Sequence, residues 1–397
     1  MTAQRDGALN GHAYLDELRL WLDTHRPEQH FDISLERAIF GGIPGLEAWT
    51  SEVHGAGYMC VSWPCEFGGR GLSEEESVAT DAEFARAGLP RPTRGLGETL
   101  VGPSILAWGT QEQKAKFLPS IVDGTARYCQ GFSEPDAGSD LASLSTRGRV
   151  DGDEVVLDGQ KMWTSFARDA NMLFCLCRTS TSEPRHRGIS FVIVPIVRED
   201  GTPNGIEFRS IRQMTGGREF AETFLEGARA PLSNVIGGLN NGWQVSMTTL
   251  AAERGGVTSQ HVPFAAQFWE AVDVARRACK TEDRVVRQNL ARAYCEVELI
   301  RYRGLRQLAE EIVDSELGPL ASISKICWSE HAREFSHSVV NLLGPRGMLI
   351  SDSACEYYEP DRIAANCLFS PGFLLAGGTN EVLRNLVAER VLGLPKT

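Results

Sequence analysis

QGFSEPDAGSD at Gln130–Asp140 is followed after a short interval by QKMWTS at Gln160–Ser165, and these two stretches carry most of the structural information in the chain. The first is a loop rich in Gly, Ser and Pro, which supplies backbone N–H groups and hydroxyls to an anion or to the polar edge of a ring. The second sets the broad face of Trp163 beside hydroxyl groups. Between them, DGDEVVLDG at 151–159 predicts a β-hairpin. Together the two stretches predict a ring-binding edge on a β unit.

The spacing of apolar residues changes twice along the chain. Residues 1 to about 124 have helical spacing, residues 125 to about 230 form the short alternating segments of strands, and helical spacing returns beyond Trp243. We therefore predict an α+β fold with a helical domain at 1–124, a β domain at 125–235 and a helical bundle at 236–397. Helices are predicted at 14–22, 45–57, 74–87, 111–121 and 286–312, and strands at 155–159, 171–179, 189–197 and 220–227.

Composition and charge limit the class of protein. A chain of 397 residues is too long for one core of typical size, so two or three structural units are expected. A hydrophobic content of 42% is typical of globular proteins, and the net charge of −12 argues against a nucleic-acid or membrane partner. The sequence has no 18-residue apolar run and no signal-peptide pattern at its N-terminus. The ten cysteines form no C-x-x-C pair, which favours reduced thiols and a cytoplasmic location.

Several common cofactor and metal motifs are missing from the sequence. No G-x-G-x-x-G lies between a strand and a helix, so a Rossmann-type flavin or nicotinamide site is unsupported. The sequence also contains no P-loop and no H-E-x-x-H zinc signature. We therefore predict no metal site. The loop and the Trp-containing stretch described above supply the groups needed to hold an isoalloxazine ring.

Four further stretches extend the pattern over nearly the whole chain: WPCEFGGRGLSEEE (63–76), GTQEQKAKFLPSIVDG (109–124), RQMTGGREFAETFLEGARAPLSNVIGGLNNGWQV (212–245) and GGTNEVLRNLVAERVLGLP (377–395). With SEPDAGSD and KMW, they make the chain resemble the acyl-CoA dehydrogenases, flavoproteins that insert an α,β double bond into an acyl-CoA thioester. The resemblance implies a helical N-terminal domain, a small middle β-barrel domain and a C-terminal four-helix bundle. It also implies FAD as the cofactor, acyl-CoA as the substrate and an electron-transferring flavoprotein as the electron acceptor.

An oligomer is implied as well. In the family, the bundle of a neighbouring subunit completes the site of the FAD diphosphate, so a homo-oligomer (a dimer or tetramer) or a heteromeric assembly is expected. The negative net charge of this chain opposes the phosphates of CoA, so those phosphates need a local basic patch.

The family pattern assigns flavin contacts to the two decisive stretches. It implies that Ser133 lies near the pyrimidine edge of the isoalloxazine, that Trp163 flanks the dimethylbenzene side and that Ser165 donates its hydroxyl to N5. Thr is commoner in the family where this chain has Ser133 and Ser165, and Ser keeps the hydroxyl. Ser139 is expected to contact the diphosphate or the CoA chain. The complete set of expected contacts is Gln130, Phe132, Ser133, Gly138, Ser139, Trp163, Thr164 and Ser165.

A second group of flavin contacts is expected near the C-terminus. NLLGPRGM at 341–348 resembles the family's stretch that reaches FAD across the subunit interface, with Asn341 where Gln is usual and Gly344 retained. Thr379 and Glu381 match the segment that touches the adenine side. The family's Arg-x-x-Phe-Gly motif is not visible in the chain, so the residue that binds the diphosphate there stays open.

The catalytic base is where the chain departs from the commoner pattern. Removal of the α-proton requires a carboxylate, and many family members carry it immediately before the Gly-Thr pair, where this chain has Gly377. Isovaleryl-type, long-chain-type and actinobacterial bulky-acyl members place the base on the first bundle helix, where this chain has Glu253. We therefore predict Glu253 as the base and the backbone N–H of Gly377 as a donor to the thioester oxygen. Arg254 and Gly378 are expected to contact the CoA substrate.

Two other functions remain open. The missing carboxylate at Gly377 also fits a non-catalytic partner subunit that supplies half of a shared flavin site. A flavin oxidase or monooxygenase on the same fold is the second alternative. The missing side chain at Gly377 would also widen the acyl pocket for branched or polycyclic groups. The sequence leaves the acyl chain and the pathway undetermined.

Overall fold

A computed structural model describes residues 11–28, 31, 45–181, 184–255, 261–313, 319–348 and 359–395. The chain divides into two compact units. One, the helical unit, joins Met1–Pro92 to Val257–Cys367, and the other, the sheet unit, joins Thr93–Gly256 to Leu368–Thr397. The predicted domain boundaries near residues 124 and 235 stay predictions.

The helices of the described residues occupy both ends of the chain and flank the strands. In chain order they are α1 (Gly11–Thr24), α2 (Leu46–Gly55), α3 (Glu74–Arg86), α4 (Gly102–Trp108), α5 (Gln111–Val122), α6 (Gly242–Gly255), α7 (His261–Arg277), α8 (Arg284–Val313), α9 (Pro319–Leu343), α10 (Glu359–Phe373) and α11 (Asn380–Arg390). The strands are β1 (Tyr128–Gly131), β2 (Arg147–Asp151), β3 (Glu154–Ser165), β4 (Met172–Arg178), β5 (Ile189–Pro195), β6 (Ile206–Ile211), β7 (Phe220–Pro231) and β8 (Val235–Ile236).

The helical unit contains a three-helix layer in which α7, α8 and α9 contact one another. Ala293, Val297 and Ile300 of α8 recur at three- and four-residue spacing and are buried. The side chains of Leu308 and Ile312, further along the same helix, lie outside the described residues. In the N-terminal segment of the same unit, Ser73 is the N-cap of α3 and forms a reciprocal capping box with Glu76.

The sheet unit is built on one eight-stranded sheet. Seven strands follow the order β6-β7-β3-β2-β4-β5-β8, and β1 pairs in parallel with β4. Alternate residues of the central strands form the core, because successive side chains of a strand point to opposite faces. That core includes Val155, Leu157, Leu173, Cys175, Val192, Val194 and Leu225, all buried.

The hairpin predicted at 151–159 is confirmed. Strands β2 and β3 are antiparallel, Asp151 pairs with Glu154, and the two-residue turn includes Gly152 at φ +66°. The sequence suggested that the second strand ends at Gly159, but β3 continues to Ser165. It continues because Gly159 pairs with Leu225 of β7, a partner far away in the sequence. QKMWTS is therefore part of a strand.

Helix α6 begins against the sheet. A Cβ added at Gly242 would lie 2.3 Å from the Ser190 carbonyl carbon of β5, so only glycine allows this approach. Within the described part of the chain, no helix has the length and apolar character to cross a membrane. The nine cysteines in the same residues are free thiols.

Candidate active site

A β-bulge displays Trp163 on the sheet unit. Lys161 pairs with Thr223 and Thr164 with Ala221, so two residues of β3 oppose one residue of β7. Trp163 takes the left-handed conformation at φ +61°, which is uncommon for a bulky residue and costs of order 1–3 kcal/mol. The residue is 56% exposed. Strain of this kind at a displayed aromatic residue is typical of a functional site.

The indole ring is supported from one side. The ring of Phe220, the first residue of β7, meets it edge-on with 6.1 Å between centroids. An edge-to-face pair of this kind is attractive beyond the area it buries. The exposed side of the indole is thus presented in a fixed orientation.

The loop at Gln130–Asp140 and the bulge are joined directly. The backbone N–H of Met162 donates to the carbonyl of Ser133 at 2.8 Å. Within the loop, Glu134 and Ala137 exchange two backbone hydrogen bonds of 2.9 and 3.2 Å, which closes the Ser-Glu-Pro-Asp-Ala turn. The two stretches, which the sequence predicted to form one ring-binding edge, are therefore joined by a backbone hydrogen bond.

A buried ion pair lies under this edge. The Nζ of Lys161 is 2.8 Å from Oε1 of Glu134, and the exposed fractions of the two side chains are 0% and 5%. The carboxylate also accepts from Ser145 N, Ser145 Oγ and Thr146 N at 2.7 to 2.8 Å. Burial by itself would raise the pKa of Glu134, but the Lys161 charge and these hydrogen bonds outweigh it and lower the pKa to about 2. Glu134 therefore stays ionised at neutral pH.

The predicted hydroxyl donors divide into two groups. Ser133 and Ser165 are half-buried, and neither hydroxyl forms a hydrogen bond with any residue that the structure describes. Thr164 is fully buried, and its hydroxyl accepts from Thr223 Oγ1 at 2.7 Å. A ring at this edge could therefore receive a hydroxyl from Ser133 and Ser165, whereas the Thr164 side chain belongs to the sheet.

The remaining loop residues are positioned as follows. Phe132 is buried, and its ring meets Phe174 and Phe191 edge-on with centroids at 5.6 and 6.0 Å. Its side chain therefore lies in the aromatic core. Gln130 is half-buried on β1, while Gly138 and Ser139 are exposed at the end of the loop.

The C-terminal glycines begin the last helix. Gly377 and Gly378 both have positive φ, +66° and +88°. Thr379 is the N-cap of α11, and its hydroxyl accepts from Val382 N at 3.2 Å. Glu381 is exposed, 3.8 Å from Arg384. The Thr379 hydroxyl is thus already used by the helix.

The predicted base belongs to α6, but the side chains of Glu253 and Arg254 lie outside the described residues. The helix itself is anchored one turn before position 253. The hydroxyls of Ser104 on α4 and Thr249 on α6 are 2.7 Å apart and fully buried. Trp108 Nε1 adds a second link to Thr248 Oγ1 at 2.8 Å.

Two predicted flavin contacts belong to the helical unit. Asn341 is exposed in the last turn of α9, and its carbonyl accepts from Lys280 Nζ at 3.5 Å. Gly344 follows α9 at φ +58°, which suits a residue that ends a helix. Within the described parts of both units, no cluster of His, Cys, Asp or Glu could hold a metal ion.

Sequence reasoning missed the role of Lys161. The prediction from QKMWTS rests on its Trp and hydroxyl residues and assigns no role to Lys161. A lysine inside an apolar strand was the available signal, because lysine is almost never fully buried unless it is paired. Its partner lies 27 residues away, beyond the reach of a local pattern.

Three sequence models of one family match the chain: the acyl-CoA dehydrogenase N-terminal domain at 16–125, the middle domain at 129–227 and the C-terminal domain at 240–392. The chain belongs to the acyl-CoA dehydrogenase family. It is therefore an oxidoreductase of that class, and the family implies a flavin cofactor. The α+β fold predicted from the sequence is confirmed by these matches and by the structural neighbours.

Named relatives support the same family. Acyl-CoA dehydrogenase IpdE1 of Mycobacterium tuberculosis is 39% identical over 364 residues, which is 89% of this chain and 91% of the relative. Among solved structures, the Tcur3481-Tcur3483 steroid ACAD has a TM-score of 0.81 at 31% identity, covering 99% of this chain and 100% of that one. The ChsE4-ChsE5 complex from Mycobacterium tuberculosis has a TM-score of 0.79 at 29% identity, covering 100% of both chains.

The residues of this dehydrogenase fit a flavin ring. The bulge offers an exposed aromatic face at Trp163, and two hydroxyls without a partner in the described residues, those of Ser133 and Ser165, lie on the same joined edge. An aromatic wall and hydrogen-bond donors at the ring's polar atoms are what a protein contributes to a flavin.

Proposed function

We propose that the chain is an FAD-dependent acyl-CoA dehydrogenase in which Glu253 removes the α-proton of the thioester. The observation that carries the proposal is the joined edge at Ser133 and Met162, with Trp163 exposed beside it. This edge would hold FAD, which when bound would supply the hydride acceptor for the β-hydrogen. An electron-transferring flavoprotein would be the partner that takes up the electrons.

The chain's own groups have distinct roles in this proposal. The Ser165 hydroxyl donates toward the ring position that gains electron density, and Ser133 binds the pyrimidine edge. The backbone N–H of Gly377 donates to the thioester oxygen, which makes the α-proton more acidic. Glu253 takes that proton as a general base.

The backbone conformation of Gly377 is an argument for a catalytic base elsewhere in the chain. At φ +66° an L-residue is strained, so this turn suits glycine and disfavours the glutamate that many relatives carry. Glu253 follows Thr249 by one turn of α6, and the Ser104–Thr249 hydrogen bond anchors that turn. A carboxylate on an anchored helix is suited to general-base catalysis, because a base must be held at a fixed distance from the proton.

A basic turn of the sheet unit is the candidate site for the CoA phosphates. Arg185, His186 and Arg187 lie together between β4 and β5. Arg185 donates to Ser143 Oγ at 3.0 Å, so this turn is next to the end of the flavin loop. Together with Ser139, Arg254 and Gly378, it would hold CoA against the negative charge of the whole chain.

The assembly and the substrate that we propose rest on the names of two similar structures. One is a steroid ACAD and the other is a two-component complex. We propose a bulky, polycyclic or branched acyl group for this chain, which suits the missing side chain at Gly377. An oligomer, homomeric or heteromeric, would bring Asn341, Gly344, Thr379 and Glu381 to the rest of the FAD in a cytoplasmic enzyme.

Anaerobic flavin reduction tests the proposal. The wild type and Glu253→Gln would be purified with FAD and mixed with straight, branched and steroid-side-chain acyl-CoAs. We expect the wild-type flavin to bleach and the variant to bind FAD without bleaching. Bleaching of both proteins would remove Glu253 as the base.

The same experiment separates the alternatives. Low flavin content without bleaching would support the half-site subunit, which the glycine at 377 also fits. In that case a co-purified partner should restore both flavin content and bleaching. Rapid reoxidation of the reduced flavin by air would support an oxidase.

A further inference from the structure

The Lys161–Glu134 ion pair is not needed for any chemical step proposed above, yet it lies directly under the flavin edge. Lys161 is the last paired residue of β3 before the bulge, and Glu134 follows Ser133 in the loop. We propose that this pair is the positioning device of the site, which holds the loop and the bulge in binding geometry before a flavin arrives. The inference rests on the proposed flavin function.

The pair connects three segments of the sheet unit. From β3, Lys161 Nζ donates to the Phe132 carbonyl at 3.1 Å and to Glu134 Oε1 at 2.8 Å. From the loop, the Glu134 carboxylate accepts the backbone N–H groups of Ser145 and Thr146 just before β2. One lysine and one glutamate thus fix the loop against the strand on which Trp163 is displayed.

The environment makes the pair stiff. The stem of Lys161 lies in a closed space, because a Cβ added at Gly131 would be 3.5 Å from its Cγ and 3.1 Å from Leu173 Cδ1. Charge-assisted hydrogen bonds in such a site are short and strong. A side chain with 0% exposure cannot exchange its partners for water without opening the sheet.

A merely structural pair and a positioning pair predict different results. A buried ion pair can often be replaced by neutral groups without loss of stability, whereas removal of one partner is strongly destabilising. Lys161→Met leaves the carboxylate unpaired. Glu134→Gln combined with Lys161→Met removes both charges, and the amide oxygen can replace Oε2 as the acceptor for Ser145 N and Oγ, whereas Thr146 N loses its acceptor. Neither variant retains the side-chain link from Lys161 to the loop, and both keep the backbone bond from Met162 N–H to Ser133 O.

The experiment compares stability with flavin affinity. We expect Lys161→Met to lower the Tm by many degrees and the double variant to recover part of that loss. The Kd of the apoprotein for FAD should be at least tenfold higher in both variants, which means weaker binding. Hydrogen exchange of the 129–136 and 160–166 peptides, measured without flavin, should be at least tenfold faster in the double variant than in the wild type.

Matched variants and the exchange data keep the outcome decisive. Arg229→Met removes ion pairs to Glu154 and Asp151 in the same sheet and should leave FAD affinity unchanged. Recovery of both FAD affinity and exchange protection in the double variant would overturn the inference.

A wild type that binds no FAD refutes the flavin function, while the exchange rates still test the positioning role. If the double variant does not fold, Glu134→Asp serves: weaker FAD binding is expected, and unchanged affinity refutes the inference.

Discussion

The hydroxyls of Ser104 and Thr249 lie 2.7 Å apart in the interior of the sheet unit and tie α4 to α6. One hydroxyl donates to the other, and the accepting hydroxyl donates to a backbone carbonyl at 3.2 Å, which is Leu100 O for Ser104 or Val245 O for Thr249. Position 253, the proposed base, is one turn further along α6. The bond therefore controls how α6 is seated against its neighbour.

Ser104→Ala should weaken this anchor without unpairing Thr249, whose hydroxyl keeps its bond to Val245 O. We expect a loss of about 1 kcal/mol in the free energy of unfolding. The turnover number should fall several-fold with little change in KM, because the variant disturbs the base and not the substrate contacts. Urea unfolding and steady-state kinetics measure both. Ser104→Thr keeps the hydroxyl and serves as the control, and equal kcat values for all three proteins would contradict the role.

The depressed pKa of Glu134 predicts a pH dependence of stability. Its ordinary value is 4.5 and its folded value about 2, so the unfolded state binds the proton more readily. The stabilisation is complete above pH 4.5 and is lost as the pH falls toward 2. Urea unfolding between pH 7 and pH 2.5 should therefore show a steeper loss for the wild type than for Glu134→Gln combined with Lys161→Met. Parallel curves would contradict the assignment.

The conformation of Trp163 predicts that two variants differ in stability but not in FAD binding. Trp163→Gly and Trp163→Ala both remove the ring, but only glycine takes φ +61° without strain. The glycine variant should therefore be about 1 kcal/mol more stable than the alanine variant. Both should bind FAD equally weakly, at least tenfold below the wild type. Thermal unfolding of the apoproteins and flavin fluorescence titration give the two numbers, and equal stability of the variants would show that no strain is stored there.

A side chain at position 377 is predicted to lower both the stability of the protein and its activity on bulky acyl groups. Gly377→Glu places an L-residue at φ +66° and should cost about 1–2 kcal/mol. If this glycine widens the acyl pocket, kcat/KM should fall more for steroid-side-chain acyl-CoA than for short acyl-CoA. Gly393→Glu is a matched control, since Gly393 has the same φ of +66° and open space around it. It should lose similar stability with no change in acyl preference, and an equal fall for all substrates at Gly377 would contradict the pocket hypothesis.

The sequence predicted the separate elements of the site but not the bulge and the strand pairing that connect them. Loop, hairpin and Trp-containing stretch were each visible, because turn residues and alternating apolar residues act locally. The bulge was not, because it depends on the register of β3 against β7, which begins more than fifty residues later. The same holds for the end of β3, since Gly159 reads as a turn residue until its partner Leu225 is known.

The roles of individual side chains needed the structure for a related reason. Sequence alone could not separate Thr164, whose hydroxyl is used inside the sheet, from Ser165, whose hydroxyl is not used by the described residues. Both are hydroxyl residues in one short stretch, and only the pleat of the strand turns them to opposite faces.

The free thiols of the sheet unit differ in chemistry from those at the surface. Cys129, Cys175 and Cys177 are fully buried, and burial raises the pKa of Cys175 to about 11. A thiol that stays protonated and shielded does not react with alkylating agents at neutral pH. Cys65, Cys279 and Cys295 are exposed and remain reactive under the same conditions. The rate at which the strand cysteines are labelled would therefore report how fast the flavin-bearing sheet opens. The chain thus contains a natural reporter of its own unfolding.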